Sequence, residues 1–311
     1  MALLRTVLSG LLVAATFCVV SATSAHADPI RIEHERGTLE LPGPAKRVAT
    51  INWAFTETVI ALGLDPVAVA DPVDYVEWVE EPALPDEFVD LGQRSSPNLE
   101  ALRAAKPDLI ITIPDIGINY EKLSEIAPVL QLRMFEENRP AFQAAREVFG
   151  KIAKATGREA EGAAYLADVD AKLAEYGART RAALGPDQQL NIIYFFDEST
   201  IGMFGDTSLP GSVMAAMNVP MAFHGEVNKW GFARGGLELI APYAKQSVVY
   251  TNPVPDAILD KMFASPMWKF MDFTRNNRVY ELPVVWMYGG VPSSLRFAKL
   301  LTESIENGPH Q

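Results

Sequence analysis

The chain has 311 residues, 49% of them hydrophobic, and its 39 acidic and 27 basic side chains leave a formal net charge of −12. Composition of this kind excludes a disordered or fibrous chain and can fill two cores. The acidic balance excludes nucleic acid and an anionic membrane surface as partners.

Residues 1–27 read as an export signal rather than as fold. Arg5 supplies the positive start, LLVAATFCVV the apolar core and Ala25-His26-Ala27 the small-x-small cleavage site, with the cut before Asp28. The apolar run is shorter than the roughly 20 residues of a spanning helix, so no membrane insertion is expected. Cys18 follows Phe17 rather than a small residue, which does not fit lipid attachment. Residues 28–311 then hold no cysteine and carry a formal charge of −13, so neither a disulfide nor a thiolate metal site is available. Export without disulfides points to the bacterial periplasm.

In chain order, residues 30–41 alternate as one strand, and 47–51 form a second. Residues 53–62 form a helix and 66–70 a strand, the βαβ pattern of a parallel or mixed sheet. The proline-rich stretch 71–98 reads as loop, and Asn98 can cap a helix beginning at Leu99. A strand at 108–113, a helix at 119–127, a strand at 129–134 and a helix at 141–155 follow. The stretch 158–184 carries Leu166, Val169, Leu173 and Tyr176 at three- and four-residue steps, bounded by Gly157 and Gly185-Pro186. It predicts a rod about 40 Å long at 1.5 Å per residue. Beyond it come strands at 191–196 and 200–204, a helix at 209–217, a short helix at 237–243 and a strand at 247–251. The segment 256–263, a strand at 278–282 and a helix at 292–306 complete the chain.

The sequences LEALRAAKPDLIIT (99–112) and LELIAPYAKQSVVY (237–250) superpose without a gap at an offset of 138, with Glu100 on Glu238. Together with the rod this echo predicts two similar α/β lobes joined by one long backbone helix, with the ligand cleft between them. The divisions are 28–157, 158–184 and 185–311. One long surface helix in a single domain is the alternative.

The inventory for catalysis is thin. Beyond the signal only His34, His224 and His310 remain, and none of the H-E-x-x-H, G-x-S-x-G or P-loop patterns occurs. His224 reads either as a loop histidine or as a ligand-contacting one. No metal site and no catalytic set is predicted. Trp53, Trp78, Trp230 and Trp286 sit at strand or loop ends beside polar or aromatic residues, whereas Trp268 lies between Met267 and Phe270 as a core tryptophan would. Rigid aromatic walls suit a large, partly apolar ligand, and domain packing is the other reading. Arg94, in a Gly-Gln-Arg-Ser-Ser-Pro loop, is the best polar candidate, a flat fork of donors for paired anionic oxygens or else a surface ion pair.

The stretches RVATINWAFTETVIALGLDPVAVAD, DYVEWVEEPALPDEFVDLGQRSSPNLEAL, KPDLIIT, HGEVNKWGF, SPMWKFM and VVWMYGG closely resemble those of the periplasmic ferric-hydroxamate siderophore-binding proteins of bacterial ABC importers. The likeness runs from about Arg47 to Ile305. It implies that Arg94 bonds hydroxamate oxygens, that Trp53 and Trp78 line one wall, and that Trp230, Trp286 and Tyr288 line the other. It further implies that Glu100 and Glu238 dock on the two halves of an inner-membrane permease. Two positions depart from the pattern. Ile116 stands where family members can carry a tyrosine, with Tyr120 one turn later, and Phe223 stands where close relatives carry tryptophan. The expected function is capture of a ferric siderophore by a monomer without a cofactor, iron being held by the chelator. Haem or a corrinoid with Tyr288, Tyr120 or His224 as axial ligand is the alternative within the class, and an enzyme acting on the siderophore the alternative outside it.

Overall fold

The computed structural model describes residues 29–114, 117 and 119–310. The export signal and Ile116 lie outside the described residues. The stretch read as one strand over 30–41 is a hairpin of β1 (Ile30–His34) and β2 (Gly37–Leu41), paired antiparallel and separate from the main sheets. Its alternation runs straight through a two-residue turn at Glu35 and Arg36, and Gly37 takes φ +109° there. Then come β3 (Val48–Thr50), α1 (Trp53–Ala61), β4 (Ala68–Val69), α2 (Pro72–Trp78) and β5 (Val89–Asp90). The last two occupy what reads as loop in the sequence. Pro72 opens α2 at a position where its missing N–H costs nothing. The N-terminal half continues with α3 (Leu99–Ala104), β6 (Leu109–Thr112), α4 (Tyr120–Ser124), β7 (Val129–Gln131) and α5 (Ala141–Thr156). Its five strands form one sheet in the order β5-β4-β3-β6-β7, every pair parallel.

The helix α6 (Glu159–Leu184) links the halves. Gly157, at φ +65°, closes α5 in the left-handed conformation, and Gly185 ends α6. The C-terminal half comprises β8 (Leu190–Phe195), β9 (Ile201–Phe204), α7 (Leu209–Ala216), β10 (Phe232–Gly235) and β11 (Ser247–Thr251). It ends with α8 (Asp256–Ala264), α9 (Pro266–Phe270), α10 (Asp272–Arg275), β12 (Val279–Leu282) and α11 (Val291–Asn307). The sheet order is β10-β9-β8-β11-β12; β8, β11 and β12 run parallel, and β9 and β10 turn antiparallel at one edge. The expected helix over 237–243 is two short 3₁₀ turns, with Pro242 in the second. The internal echo therefore has a topological counterpart, since β6 and β11 each hold the fourth place in their sheet.

The linking helix is packed along its length. Val169 and Leu173 are buried on it, and so are Gly162, Gly177 and Thr180, a stripe of small residues that apolar periodicity alone does not report. A Cβ on Gly177 would stand 1.9 Å from the carbonyl oxygen of Met217, so only glycine lets α6 come this close to the end of α7. Thr180 meets Thr302 of α11 at 2.9 Å, and Arg146 of α5 forks onto Asp170. One hydrophobic cluster draws Phe55, Phe149, Val169, Val213 and Phe297 together from α1, α5, α6, α7 and α11. Both halves thus share a core around the helix.

Candidate functional site

A cavity of ≈ 510 Å³ opens between the halves, the size of a small-molecule site. In open α/β sheets ligands sit beyond the carboxyl ends of the strands, and the N-terminal half follows that rule strand by strand. Asn52 comes just after β3, Asp71 after β4, Arg94 after β5, Ile113 after β6 and Arg133 after β7, and all five line the cavity. From the C-terminal half come Tyr194 and Phe196 at the end of β8, Trp230 and Phe232 at the start of β10, and Trp286 and Tyr288 after β12.

Arg94 is held by three contacts. Its backbone N–H and its Nε both donate to one oxygen of Asp71, at 3.0 and 2.9 Å, and its guanidinium lies 3.6 Å from the centre of the Trp53 ring. Trp53 in turn donates its indole N–H to the Asp71 carbonyl at 3.1 Å. Asp71 precedes α2 with φ 50°, a left-handed backbone unlike the extended one of a capping residue, and its carboxylate makes no helix cap and serves Arg94 instead. Burial lowers the Arg94 pKa and the neighbouring Asp71 pulls it back, so the guanidinium stays charged. With Nε spent on Asp71, the two Nη groups are the donors left for the cavity. Arg133 lines the same cavity, and its Nε lies 3.2 Å from Glu35 and 3.7 Å from Glu136.

The opposite wall is a set of edge-to-face aromatics. Trp286 and Tyr288 stand 5.3 Å apart and Tyr288 and Trp230 5.8 Å, and Phe135 of the N-terminal half meets Tyr288 edge-on at 5.9 Å. Burial pushes the Tyr288 hydroxyl up to about 12, against the pull of its hydrogen bond with Tyr194, and burial raises Tyr194 as well. Both stay neutral hydroxyls near pH 7. A smaller cavity of ≈ 180 Å³ adjoins the first behind Trp286 and Tyr288, and Trp78 lines it.

The structure thus brings Arg94, Trp230, Trp286 and Tyr288 into one cavity and places the other described candidates outside it. Trp53, 2% exposed, lies beneath Arg94 rather than on the wall, because it begins α1 against Tyr75 and Val79. Phe223 is 4% exposed in a C-terminal core cluster, with its ring 5.7 Å from Tyr243, and does not reach the cavity. Tyr120 begins α4, where its ring carries the Arg36 guanidinium at 5.0 Å and packs on the core of the N-terminal half, outside the cavity lining. His224 is exposed and its Nδ1 faces Asp206 at 2.9 Å, also outside the lining. Trp268 is buried in the C-terminal core. Sequence reasoning missed Asp71, Arg133, Phe135, Tyr194, Phe196 and Phe232. The signal available was position, since each lies close to an end of a strand. Among the described residues no three His, Cys, Asp or Glu side chains come together as a metal site.

The profile of the periplasmic binding protein family matches residues 48–285, most of the chain. The chain belongs to that family. Members similar to it include the iron(3+)-hydroxamate-binding protein FhuD of Escherichia coli, 29% identical over 259 residues, which are 83% of this chain and 86% of FhuD. The Fe(3+) dicitrate-binding periplasmic protein FecB of the same organism is 25% identical, over 82% of each chain. Among solved structures, the Fe3+–Desferal-bound siderophore-binding protein FhuD of Vibrio cholerae superposes with a TM-score of 0.79 at 30% identity, covering 85% of this chain and 99% of that one. These periplasmic binding proteins have two lobes and bind rather than transform their substrates. The present chain is accordingly a two-lobed binding protein and not an enzyme.

Proposed function

We propose that this protein is a periplasmic substrate-binding protein that captures a ferric hydroxamate-type siderophore in the cavity and delivers it to an inner-membrane ABC permease. The observation that carries the reading is the pairing of a broad aromatic wall with cations already matched by acids. Arg94 is paired with Asp71 and Arg133 lies against Glu35 and Glu136, so the lining has little uncompensated positive charge. A ferric trihydroxamate is neutral, or cationic when it carries a pendant amine, and needs oriented donors and apolar area rather than a strong positive field. Multiply anionic citrate or catecholate complexes would call for free cations. The similarity to two hydroxamate- or Desferal-binding proteins supports the same choice. The chelator completes the iron's coordination shell, so iron is cargo and no resident cofactor is required. Haem or a corrinoid would want an axial ligand, yet Tyr120 and His224 lie outside the lining and the Tyr288 hydroxyl resists ionisation.

Delivery would use Glu100 and Glu238. Both are exposed, near the starts of topologically matched segments, one in each half. Asn98 caps the Glu100 turn, and the Glu238 carboxylate accepts from the Gly236 N–H at 3.0 Å. Export by the 1–27 signal and a monomeric state belong to the same proposal. The test is a tryptophan-fluorescence titration against ferric Desferal, ferric dicitrate, a ferric catecholate, haem and cobalamin, with free tryptophan as inner-filter control. Saturation by ferric Desferal at the lowest concentration is expected; tighter binding of dicitrate, catecholate, haem or cobalamin overturns the hydroxamate reading.

A further inference from the structure

Trp286 and Tyr288 lie on the short segment between β12 and α11, and the N-terminal half holds that segment directly at one end and through Arg296 at the other. At one end Glu57, in the middle of α1, reaches across to the start of α11. Its carboxylate accepts from the backbone N–H of Gly290, the N–H of Ser293 at 3.1 Å and the Ser293 hydroxyl. At the other end Arg296 of α11 donates to the Val284 carbonyl at 2.5 Å and pairs with Glu80, just beyond α2. Glycine makes the first contact possible. A Cβ on Gly289 would stand 2.2 Å from Ser293 Oγ and 2.9 Å from Glu57 Oε1, and one on Gly290 would stand 3.1 Å from both Glu57 Oε1 and the Ala54 carbonyl.

Glu57 is 0% exposed, and a carboxylate is expensive to bury unless donors surround it. Burial pushes its carboxyl up to about 8, against the pull of Ser293 and Gly290. Stabilising α11 alone would need only a serine or aspartate at its own N-cap. That N-cap is Gly290, which makes no side-chain cap, and the capping group comes instead from the opposite half. Arg94 also belongs to the N-terminal half, and its guanidinium lies 5.7 Å from the centre of the Trp286 ring. The same contacts that cap α11 therefore set the span between the arginine fork and the aromatic wall.

We infer that Glu57 and Glu80 are positioning residues of the ligand cleft, two acidic side chains of the N-terminal half that hold the segment carrying Trp286 and Tyr288 opposite Arg94, Glu57 directly at its α11 end and Glu80 through Arg296 at its β12 end. The effect on affinity rests on the function proposed above; the positioning itself does not. The test uses the full chain labelled with 5-fluorotryptophan, read by fluorine NMR and by titration with ferric Desferal. Trp268, in the C-terminal core, is the internal reference. Glu57→Ala is expected to shift and broaden the Trp286 resonance, to leave Trp268 in place, and to weaken ferric Desferal binding by about tenfold or more, the scale of coupling between packed sites. Glu57→Gln, which keeps an acceptor oxygen, should fall between wild type and Glu57→Ala, and Glu80→Gln should have the smaller effect because Glu80 is exposed. A lowered melting temperature with an unmoved Trp286 resonance and unchanged affinity would make Glu57 a stabiliser of α11 only and overturn the inference. Should Glu57→Ala not fold, Ser293→Ala removes one donor in its place, and the same pair of readouts decides. If the wild-type protein does not bind ferric Desferal, the ligand reading fails while the Trp286 resonance still tests the clamp.

Discussion

The two halves share a plan and divide the work of the cleft. The N-terminal sheet is wholly parallel, so five strand ends point the same way and deliver short loops with Asn52, Asp71, Arg94 and Arg133 to one side. The C-terminal sheet turns β9 and β10 antiparallel, and its six lining residues are all aromatic: Tyr194, Phe196, Trp230, Phe232, Trp286 and Tyr288. The N-terminal half adds one aromatic, Phe135, to that lining. The polar half thus supplies direction, through donors at fixed angles, and the aromatic half supplies area. A parallel sheet suits the first task because every strand ends on the same side. The aromatics of the second task are gathered from three separate stretches, the end of β8, the start of β10 and the segment after β12, and their area comes from that convergence.

Substitutions on each side sharpen that division. Arg94→Ala should have the largest effect, raising the Kd for ferric Desferal by about ten- to a hundredfold or more, since each charge-assisted hydrogen bond is worth roughly 1.5–3 kcal/mol. Arg94→Lys should rescue poorly because it keeps the charge and loses the fork. Fluorescence titration checks both, and an unchanged Kd for Arg94→Ala would dissolve the contrast between the halves. Trp286→Ala comes next, at about tenfold, as expected for a buried aromatic anchor. Its loss should be insensitive to salt, whereas the contribution of Arg94 should weaken as salt rises. Asp71→Asn frees the fork without removing it and should cost roughly two- to fivefold, the worth of a partly exposed ion pair. A larger loss would mean that Asp71 aims the guanidinium rather than merely balancing it.

The smallest effects on binding are expected at the proposed docking residues and where the halves meet each other. Glu100→Lys with Glu238→Lys should leave the Kd unchanged while stopping siderophore-dependent growth under iron limitation, and each single reversal should give partial loss. Normal growth of the double variant would move docking to other residues. Apo and loaded protein should differ little in radius of gyration by solution scattering. Bending at the junction would break the hydrogen-bond ladder of α6 and the shared core around it. A large drop on loading would show that the halves hinge in spite of that packing.

The alternation of strand and helix, the long helix after Gly157 and the repeat of Leu99–Thr112 in Leu237–Tyr250 were all legible in the sequence, because each depends on periodicity or caps within a few turns of chain. The tight hairpin at Glu35 and the two-residue strand β5 leave little or no such signature. The character of the site was legible too, since tryptophans and an arginine at strand ends point to an aromatic cleft with a donor fork. Which aromatics face that cleft was decided by the tertiary structure. Trp53 and Trp286 both follow strands, yet one is covered by Arg94 and Tyr75 and the other is left on the wall. Phe223 is drawn into a core, and Asp71, with nothing in its local sequence to mark it, becomes the anchor of Arg94. Glu57 reads as a polar position on a helix and proves to cap another helix 233 residues away. Sequence determines such features only through the whole fold, because a lining or a clamp is made where separate strand and helix ends converge, and no period along one element records that convergence.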